Sequence, residues 1–384
     1  FPSLSFSTSQ QVVNRPYQET SNRVSGSEII SSNSKTSYNG NYGLNASWTI
    51  YNGSKRLKTL KQERLNNQVA ELDVATSENT IKESIAQIYI QILYAAESVR
   101  VNENTLQVSI AQRDRGQELL NAGSIAKSDF AQLEAQVSTD RYQLVTAQAT
   151  LQDYKLQLKQ LLELDGENEM NVYLPNLSDE NVLAPLPAKK DVYVSALAIR
   201  PEIEASKLNI EASELGIDIA KSSYFPTVSL SAGIGTNHTS GSDFTFSEQV
   251  KNGWNNSIGL SVSVPIFNNR QTKSAVQKAR LQRETNMLSL LDEQKALYKT
   301  IESLWLDANS AQQRYAAANE KLRSTQISYD LISEQFNLGM KNTVELLTEK
   351  NNLLQAQQEQ LQAKYMAILN TQLLKFYQGD KLTL

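Results

Sequence analysis

Two long tracts of the chain, residues 17–174 and 266–384, contain no proline. The eight prolines fall at 2, 16, 175, 185, 187, 201, 226 and 265. Glycine thins in the same places: none occurs between Ser54 and Arg115, and Gly339 is the only one between Leu260 and Gln378. Proline removes a helical hydrogen bond and clashes with the preceding turn, and glycine is a poor helix former. Tracts without these breakers, rich in Ala, Gln, Leu, Glu and Lys, predict long helices. Apolar spacing agrees. Ile81, Ile85, Ile88, Ile92, Val99 and Leu106 step by 4, 3, 4, 7 and 7, and Ile301, Leu304, Ala308, Tyr315 and Leu322 by 3, 4, 7 and 7, a coiled-coil-like seam. A single helix from Asn52 to Ala122 would be roughly 106 Å long, far beyond a globular-domain helix.

Four short segments follow a different period. From Tyr42 to Ile50 every even position is apolar (Leu44, Ala46, Trp48, Ile50) and every odd one small or polar. Val228, Leu230, Ala232 and Ile234 repeat the alternation, as do Ile258, Leu260, Val262, Val264 and Ile266, and Leu4 and Phe6 begin a fourth copy. This is strand patterning. The segments also lack charge: residues 1–14, 36–54, 222–242 and 252–269 contain no Asp, Glu, Lys or Arg. Strands with one apolar face and one face of Ser, Thr, Asn and Gly match the transmembrane-barrel signature, lipid outside and a wet lumen inside. Between them, Asn14–Asn39 and His238–Gly253 read as exposed loops.

Composition narrows the chemistry. The chain has no cysteine and one histidine, His238, so disulfides, thiolate chemistry and most transition-metal sites drop out. His238 reads as a surface-loop residue without partners. No phosphate loop or nucleophile constellation is present, so the sequence does not read as an enzyme, and no cofactor or metal is expected. A net charge of −4 leaves no basic footprint for nucleic acid. No apolar run reaches the ~18 residues of a spanning helix. Phe1 begins in the middle of an element, so any targeting segment or lipid-bearing cysteine is expected upstream.

The two halves align. Gly43–Asn52 matches Gly259–Asn268 at an offset of 216, which also takes Tyr89 to Trp305, Leu106 to Leu322 and Gly123 to Gly339. Phe1-Pro2-Ser3-Leu4-Ser5 matches Phe225-Pro226-Thr227-Val228-Ser229 at 224. Each half therefore predicts strand, loop, strand, long helix, glycine break, returning helix. Gly123 and Gly339 suit left-handed helix caps. Ser128 or Ser124, and Thr343, are candidates to cap the returning helices.

Four strands cannot close a barrel in lipid, where open sheet edges are not tolerated. Several chains must contribute to one barrel. The duplicated strand–strand–hairpin halves, the Phe-Pro-x-[Leu/Val]-Ser strand starts, Arg200-Pro201-Glu202-Ile203, and the tip glycines followed six positions on by Asp129 or Glu345 resemble the TolC-like outer-membrane efflux protein family. The resemblance spans essentially the whole chain, without the helix that would precede the first strand.

That resemblance implies a mixed α and β fold: an oligomeric transmembrane β-barrel, four strands per chain and twelve in a trimer, continued by a long antiparallel α-helical coiled-coil barrel. It implies a strand pair with external loop at 1–51, a first hairpin at 52–162, an equatorial linker at 163–190, a helix at 191–224, a second strand pair at 225–267, a second hairpin at 268–377 and a tail at 378–384. It implies the outer membrane of a Gram-negative bacterium, with a large periplasmic portion. The function implied is an exit duct for a tripartite efflux or type I secretion system. Its partners would be two further copies, a periplasmic adaptor, an inner-membrane pump of RND, ABC or MFS type, and outer-membrane lipid. A coiled-coil fibre or adhesin stalk with a soluble β cap is the alternative, which the uncharged strands disfavour.

Matching tip glycines places Ser128 and Asp129 at the family's lock positions. Phe336 and Lys341 fall where the family pattern has Tyr and Arg, Glu345 at one carboxylate ring, and Thr348, beside Glu349, at the second. Phe336 lacks a phenol hydroxyl and Lys341 offers a point charge instead of a fork, which implies a looser lock and a weaker cation block. Asp129 and Glu345 also stand in first helical turns, where acids favour the dipole. Adaptor docking at Gly123, Ile125, Ala126, Gly339 and Met340 follows from the resemblance alone. Leu44, Ala46, Trp48, Ile50, Val228, Leu230, Ile234, Leu260, Val262, Val264 and Ile266 are the expected lipid-facing set, with Trp48, Trp254, Tyr42 and Tyr51 as belt aromatics.

Overall fold

The computed structural model describes residues 2–17, 21–25, 28–32, 35–164, 170–175, 182–242 and 244–382. In chain order its elements are β1 (Ser3–Asn14), β2 (Ser21–Ser25), β3 (Glu28–Ser32), β4 (Thr36–Asn52), α1 (Lys55–Asn121), α2 (Lys127–Leu161), α3 (Lys189–Ile199), α4 (Pro201–Ser222), β5 (Thr227–Thr239), α5 (Phe246–Asn252), β6 (Asn255–Ser263), α6 (Gln271–Asn337) and α7 (Thr343–Gln378). The chain divides into two units, Phe1–Asn67 with Leu208–Met287 and Gln68–Lys207 with Leu288–Leu384.

The first unit carries an antiparallel sheet in the order β1-β4-β5-β6, so β1 and β6 are its edges among the described residues. Its register aligns the period-two pattern of all four strands. Leu4 pairs Ala46, Ala46 pairs Ala232, and Ala232 pairs Ile258, while Trp48, Leu230 and Leu260 form the next apolar row. Between them run Ser3, Ser47, Ser231 and Gly259. Because side chains alternate faces along a strand, this register makes one face wholly apolar and the other wholly polar across these rows.

Several local expectations need correction. The register slips between Thr49 and Tyr51, so Ile50 is the extra residue of a bulge and Tyr51 stands opposite Val228. Strand β6 stops at Ser263, and Val264 and Ile266 lie beyond it. Pro265 supplies the reason, having no N–H to extend the ladder. The Asn14–Asn39 tract is not simply a loop: β1 reaches Asn14, β4 begins at Thr36, and β2 pairs with β3 between them. The His238–Gly253 tract contains α5, whose N-cap Thr245 and Glu248 form a reciprocal capping box. His238 does have partners. Its ring stacks on Tyr42 at 5.9 Å and meets Phe246 edge-on at 5.0 Å. Gly40 leaves that ring its space, since a Cβ there would lie 2.2 Å from the imidazole.

Both sheet-to-helix turns use two consecutive left-handed residues, Gly53-Ser54 and Asn269-Arg270. Gly53 sits 2.7 Å, measured from an added Cβ, from the Ser222 carbonyl, so this turn has no room for a side chain.

Among the described residues, the second unit holds three apolar cores. Ile90, Leu93, Tyr315 and Ile368 centre one, Val192, Ile203, Ile301 and Ala308 another, and Leu133, Phe336 and Leu346 the third. Ile92, Ile301, Ala308 and Tyr315 of the predicted seams are buried, whereas Ile81 is exposed. Helices α1 and α6 are each 67 residues long. The stretch 191–224 is two helices meeting at Arg200-Pro201. The residue before a proline avoids helical geometry, and Arg200 accordingly sits at φ −71°, ψ 124°. Its buried guanidinium bonds Glu83 at 2.9 Å and lies 3.7 Å from the Tyr377 ring centroid.

Candidate functional site

Each hairpin tip is built by the same backbone device. At the end of α1, the Gly123 N–H donates to the Leu120 carbonyl and the Ser124 N–H to Leu119. After α6, Gly339 donates to Phe336 and Met340 to Gln335, both at 2.9 Å. These are paired Schellman bonds, which need a left-handed residue. Gly123 and Gly339 supply it at φ +73° and +74°.

The returning helices are capped differently from expectation. Asn342 caps α7: its Oδ1 accepts from the Glu345 N–H at 2.9 Å, and the Asn342 N–H donates back to Glu345 Oε2 at 3.2 Å. Thr343 is the first helical residue and is buried instead. Ala126 stands at the N-cap of α2 and has no side chain to accept, so only the reciprocal half forms, the Ala126 N–H donating to Asp129 Oδ2 at 3.3 Å. Ser124 and Ser128 cap nothing here; Ser128 lies inside α2. The glycines were legible in the sequence, but which residue took each N-cap was not.

Lys341 Nζ reaches Glu345 Oε1 at 2.6 Å, closing an ion pair within one helical turn. The Lys341 hydrogen bond, followed by the Asn342 backbone bond, holds the Glu345 carboxyl below the usual range. Among the described residues no ion pair joins Asp129 to Lys341 within the chain. Thr348 is exposed and donates to the Val344 carbonyl at 2.7 Å, and Glu349 accepts from Ser328 at 3.1 Å. Phe336 is only 3% exposed and packs with Leu133 and Leu346. Gly123, Ala126, Gly339 and Met340 are exposed, and Ile125 is half-buried.

Sequence reasoning missed two features near the tips. Gly116 lets α1 approach α2 closely: a Cβ there would lie 2.3 Å from Leu133 Cδ1. Behind the tips, Lys350 of α7 meets Asp140 of α2 and Ser109 of α1 in a buried contact. No local signal announces a contact between residues 210 positions apart. At the sheet, Leu44, Ala46, Trp48, Val228, Leu230, Ile234, Leu260 and Val262 share the apolar face by register.

Comparison with known proteins matches this architecture. The family model described as outer membrane efflux protein covers residues 1–163 and 192–379. The outer membrane efflux protein BepC of Brucella suis biovar 1 (strain 1330) is 24% identical over 294 residues, 76% of this chain and 61% of that protein. The outer membrane protein TolC of Escherichia coli (strain K12) is 24% identical over 342 residues, 85% of this chain and 66% of its own length. A solved structure of CusC superposes with a TM-score of 0.78 at 19% identity, over 99% of this chain and 84% of that one. At such identity the structural likeness speaks to the fold. The chain spans 61% and 66% of the length of the two curated relatives. With the family model matching most of its residues in both halves, the chain belongs to the outer membrane efflux protein family.

Proposed function

We propose that this chain is one protomer of a homotrimeric exit duct in the outer membrane of a Gram-negative bacterium. The observation that carries the reading is the four-stranded sheet, with one uncharged apolar face, one polar face, and edges at β1 and β6. An unpaired edge in hydrocarbon is prohibitively costly. Edge pairing of β1 with β6 of the next copy removes it, and three copies give twelve strands, within the range of known membrane barrels. The polar face then lines the lumen. Outward lipid contact falls to Leu44, Ala46, Trp48, Val228, Leu230, Ile234, Leu260 and Val262, with Ile50 at the bulge and Val264 and Ile266 just below the strand end.

The hairpins α1–α2 and α6–α7 form the helical duct, and their tips close it. Ser128, Asp129, Lys341, Glu345 and Thr348 face the constriction, with Phe336 packing beneath them. The acids and the lysine set its charge. A periplasmic adaptor docks at Gly123, Ile125, Ala126, Gly339 and Met340, and the energy comes from an inner-membrane pump of RND, ABC or MFS type. The duct itself is passive.

Planar-bilayer recording tests the reading. The reconstituted protein should give discrete conductance steps blocked from one side by divalent cations, and Glu345→Gln should weaken that block. Protein that inserts but never conducts would overturn the duct.

A further inference from the structure

We infer that Lys350 is a positioning residue for the tip gate: by bridging Asp140 and Ser109 in the interior, it fixes the register of the second hairpin against the first. The inference rests on the tip-gate reading above and deepens it.

Lys350, Asp140 and Ser109 are 3%, 1% and 2% exposed. The Lys350 ammonium donates to Asp140 Oδ2 and to Ser109 Oγ, and the Ser109 hydroxyl donates to the same carboxylate oxygen. Gln136 Nε2 completes the shell, donating to Asp140 Oδ1 at 2.9 Å. Three helices thus meet at one ionic contact: α1, α2 and α7. The residues one turn away from it on α7 are leucines. Leu346, Leu353 and Leu354, one turn to either side of Lys350, are buried, as are Leu133 and Val137 on α2. Burial pushes the Lys350 pKa down against the pull of Asp140, so the charged pair is held at a cost.

A buried ion pair contributes little net stability, since desolvation offsets the attraction. Its best-attested use is register. Apolar seams of period 3.5 repeat every heptad, so a helix can slip along its neighbour and still bury leucine and alanine. A lysine that finds a carboxylate at only one height forbids the slipped states. The chain also needs this discrimination between its halves. Helices α6 and α7 begin 216 residues after α1 and α2. At that offset, Lys350 corresponds to Glu134, Asp140 to Ala356 and Ser109 to Thr325. The bridge therefore cannot form with the two hairpins exchanged, although their apolar patterns are alike.

The contact is near enough to the tip to set it. Lys350 lies five residues beyond Glu345 and Asp140 eleven beyond Asp129, roughly 7 Å and 16 Å along unbroken helix. Neither stretch contains glycine or proline, so an axial shift at the bridge reaches the tip carboxylates almost undiminished.

The test replaces the pair with apolar side chains, Lys350→Met with Asp140→Leu, in the reconstituted full chain. We expect a parent-like melting temperature and circular dichroism, with closed-state leak conductance raised several-fold and divalent-cation block weakened. Parent-like leak and block in the folded double variant would overturn the inference. Should that variant fail to fold, Asp140→Asn decides: raised leak supports the positioning role, and parent-like leak overturns it. Asp129→Ala with Glu345→Gln is run beside them. If this tip variant alone alters leak and block, the positioning role falls and the gate stands. If it too leaves them unchanged, the gate reading falls first.

Discussion

Lys341 Nζ lies 2.6 Å from Glu345 Oε1, one turn further along the same tip, while the other oxygen of that carboxylate caps the helix through the Asn342 N–H at 3.2 Å. The two side chains are 33% and 40% exposed. The cation at the tip is therefore already engaged by its own chain, and a contact to a neighbouring protomer would compete with Glu345 for it. A point-charge lysine suits such sharing better than an arginine fork, which is committed to one planar geometry.

The pH dependence follows from the same contact. Lys341 first, and the Asn342 backbone second, lower the Glu345 pKa from an ordinary value of 4.5. A depressed carboxyl contributes stability above its unfolded pKa and loses it as pH falls through the folded value. Parent protein should exceed Glu345→Gln in melting temperature at pH 7, and the gap should narrow as pH falls below the ordinary carboxyl value and through the lowered one. A gap that persists unchanged at pH 3 would assign the effect to shape and not charge.

The two caps predict opposite engineering outcomes. Asn342→Ala removes a side-chain acceptor from the start of α7 and should cost about 1 kcal/mol of unfolding free energy. Ala126→Ser adds the acceptor that α2 lacks, opposite an Asp129 already placed for the reciprocal bond, and should gain about 1 kcal/mol. Denaturant midpoints measure both. Destabilisation by Ala126→Ser would mean the N-terminus of α2 is held by something other than its cap.

Gly116 and Gly339 should respond to different substitutions. Nothing lies within 4 Å of a Cβ added at Gly339, so Gly339→Ala meets only the left-handed backbone penalty, about 1–2 kcal/mol. Gly116 is helical, and alanine there gains propensity while pressing on Leu133. Gly116→Leu gains similar propensity but brings three more carbons against Leu133, and should cost about 1–3 kcal/mol by forcing α1 from α2. Comparable tolerance of leucine at both sites would contradict the close helix approach.

Opposite faces of one strand give a sharper contrast. Leu230→Arg puts a cation on the apolar face and should cost about 2–4 kcal/mol in assembly if that face meets the bilayer interior. Ser231→Arg, on the polar face one residue away, should be nearly neutral. The yield of heat-resistant oligomer after refolding into detergent or vesicles separates them. Equal yields would deny the apolar face its lipid.

The large features of this molecule were legible because they are periodic. A period of two over Tyr42–Ile50 became β4, and seams through Ile92 and Ile301 became the buried stripes of α1 and α6. Gly123 and Gly339 announced their left-handed caps. The misses are local or distant. Pro265 forbids a longer β6, and Thr245 three residues before Glu248 spells a capping box for α5, local signals that strand alternation and loop composition mask. The Lys350–Asp140–Ser109 contact had no sequence signature at all. It exists only once separate helices are packed, and a buried lysine on an amphipathic helix looks like any solvated one until its neighbours are known.

The most direct test of the central claim is the detergent-corrected mass of the protein extracted from membranes, measured by light scattering. If further copies satisfy the edges that β1 and β6 leave open among the described residues, the particle holds three chains and is recovered only in detergent. A monomer, or a species that stays soluble without detergent, would contradict it.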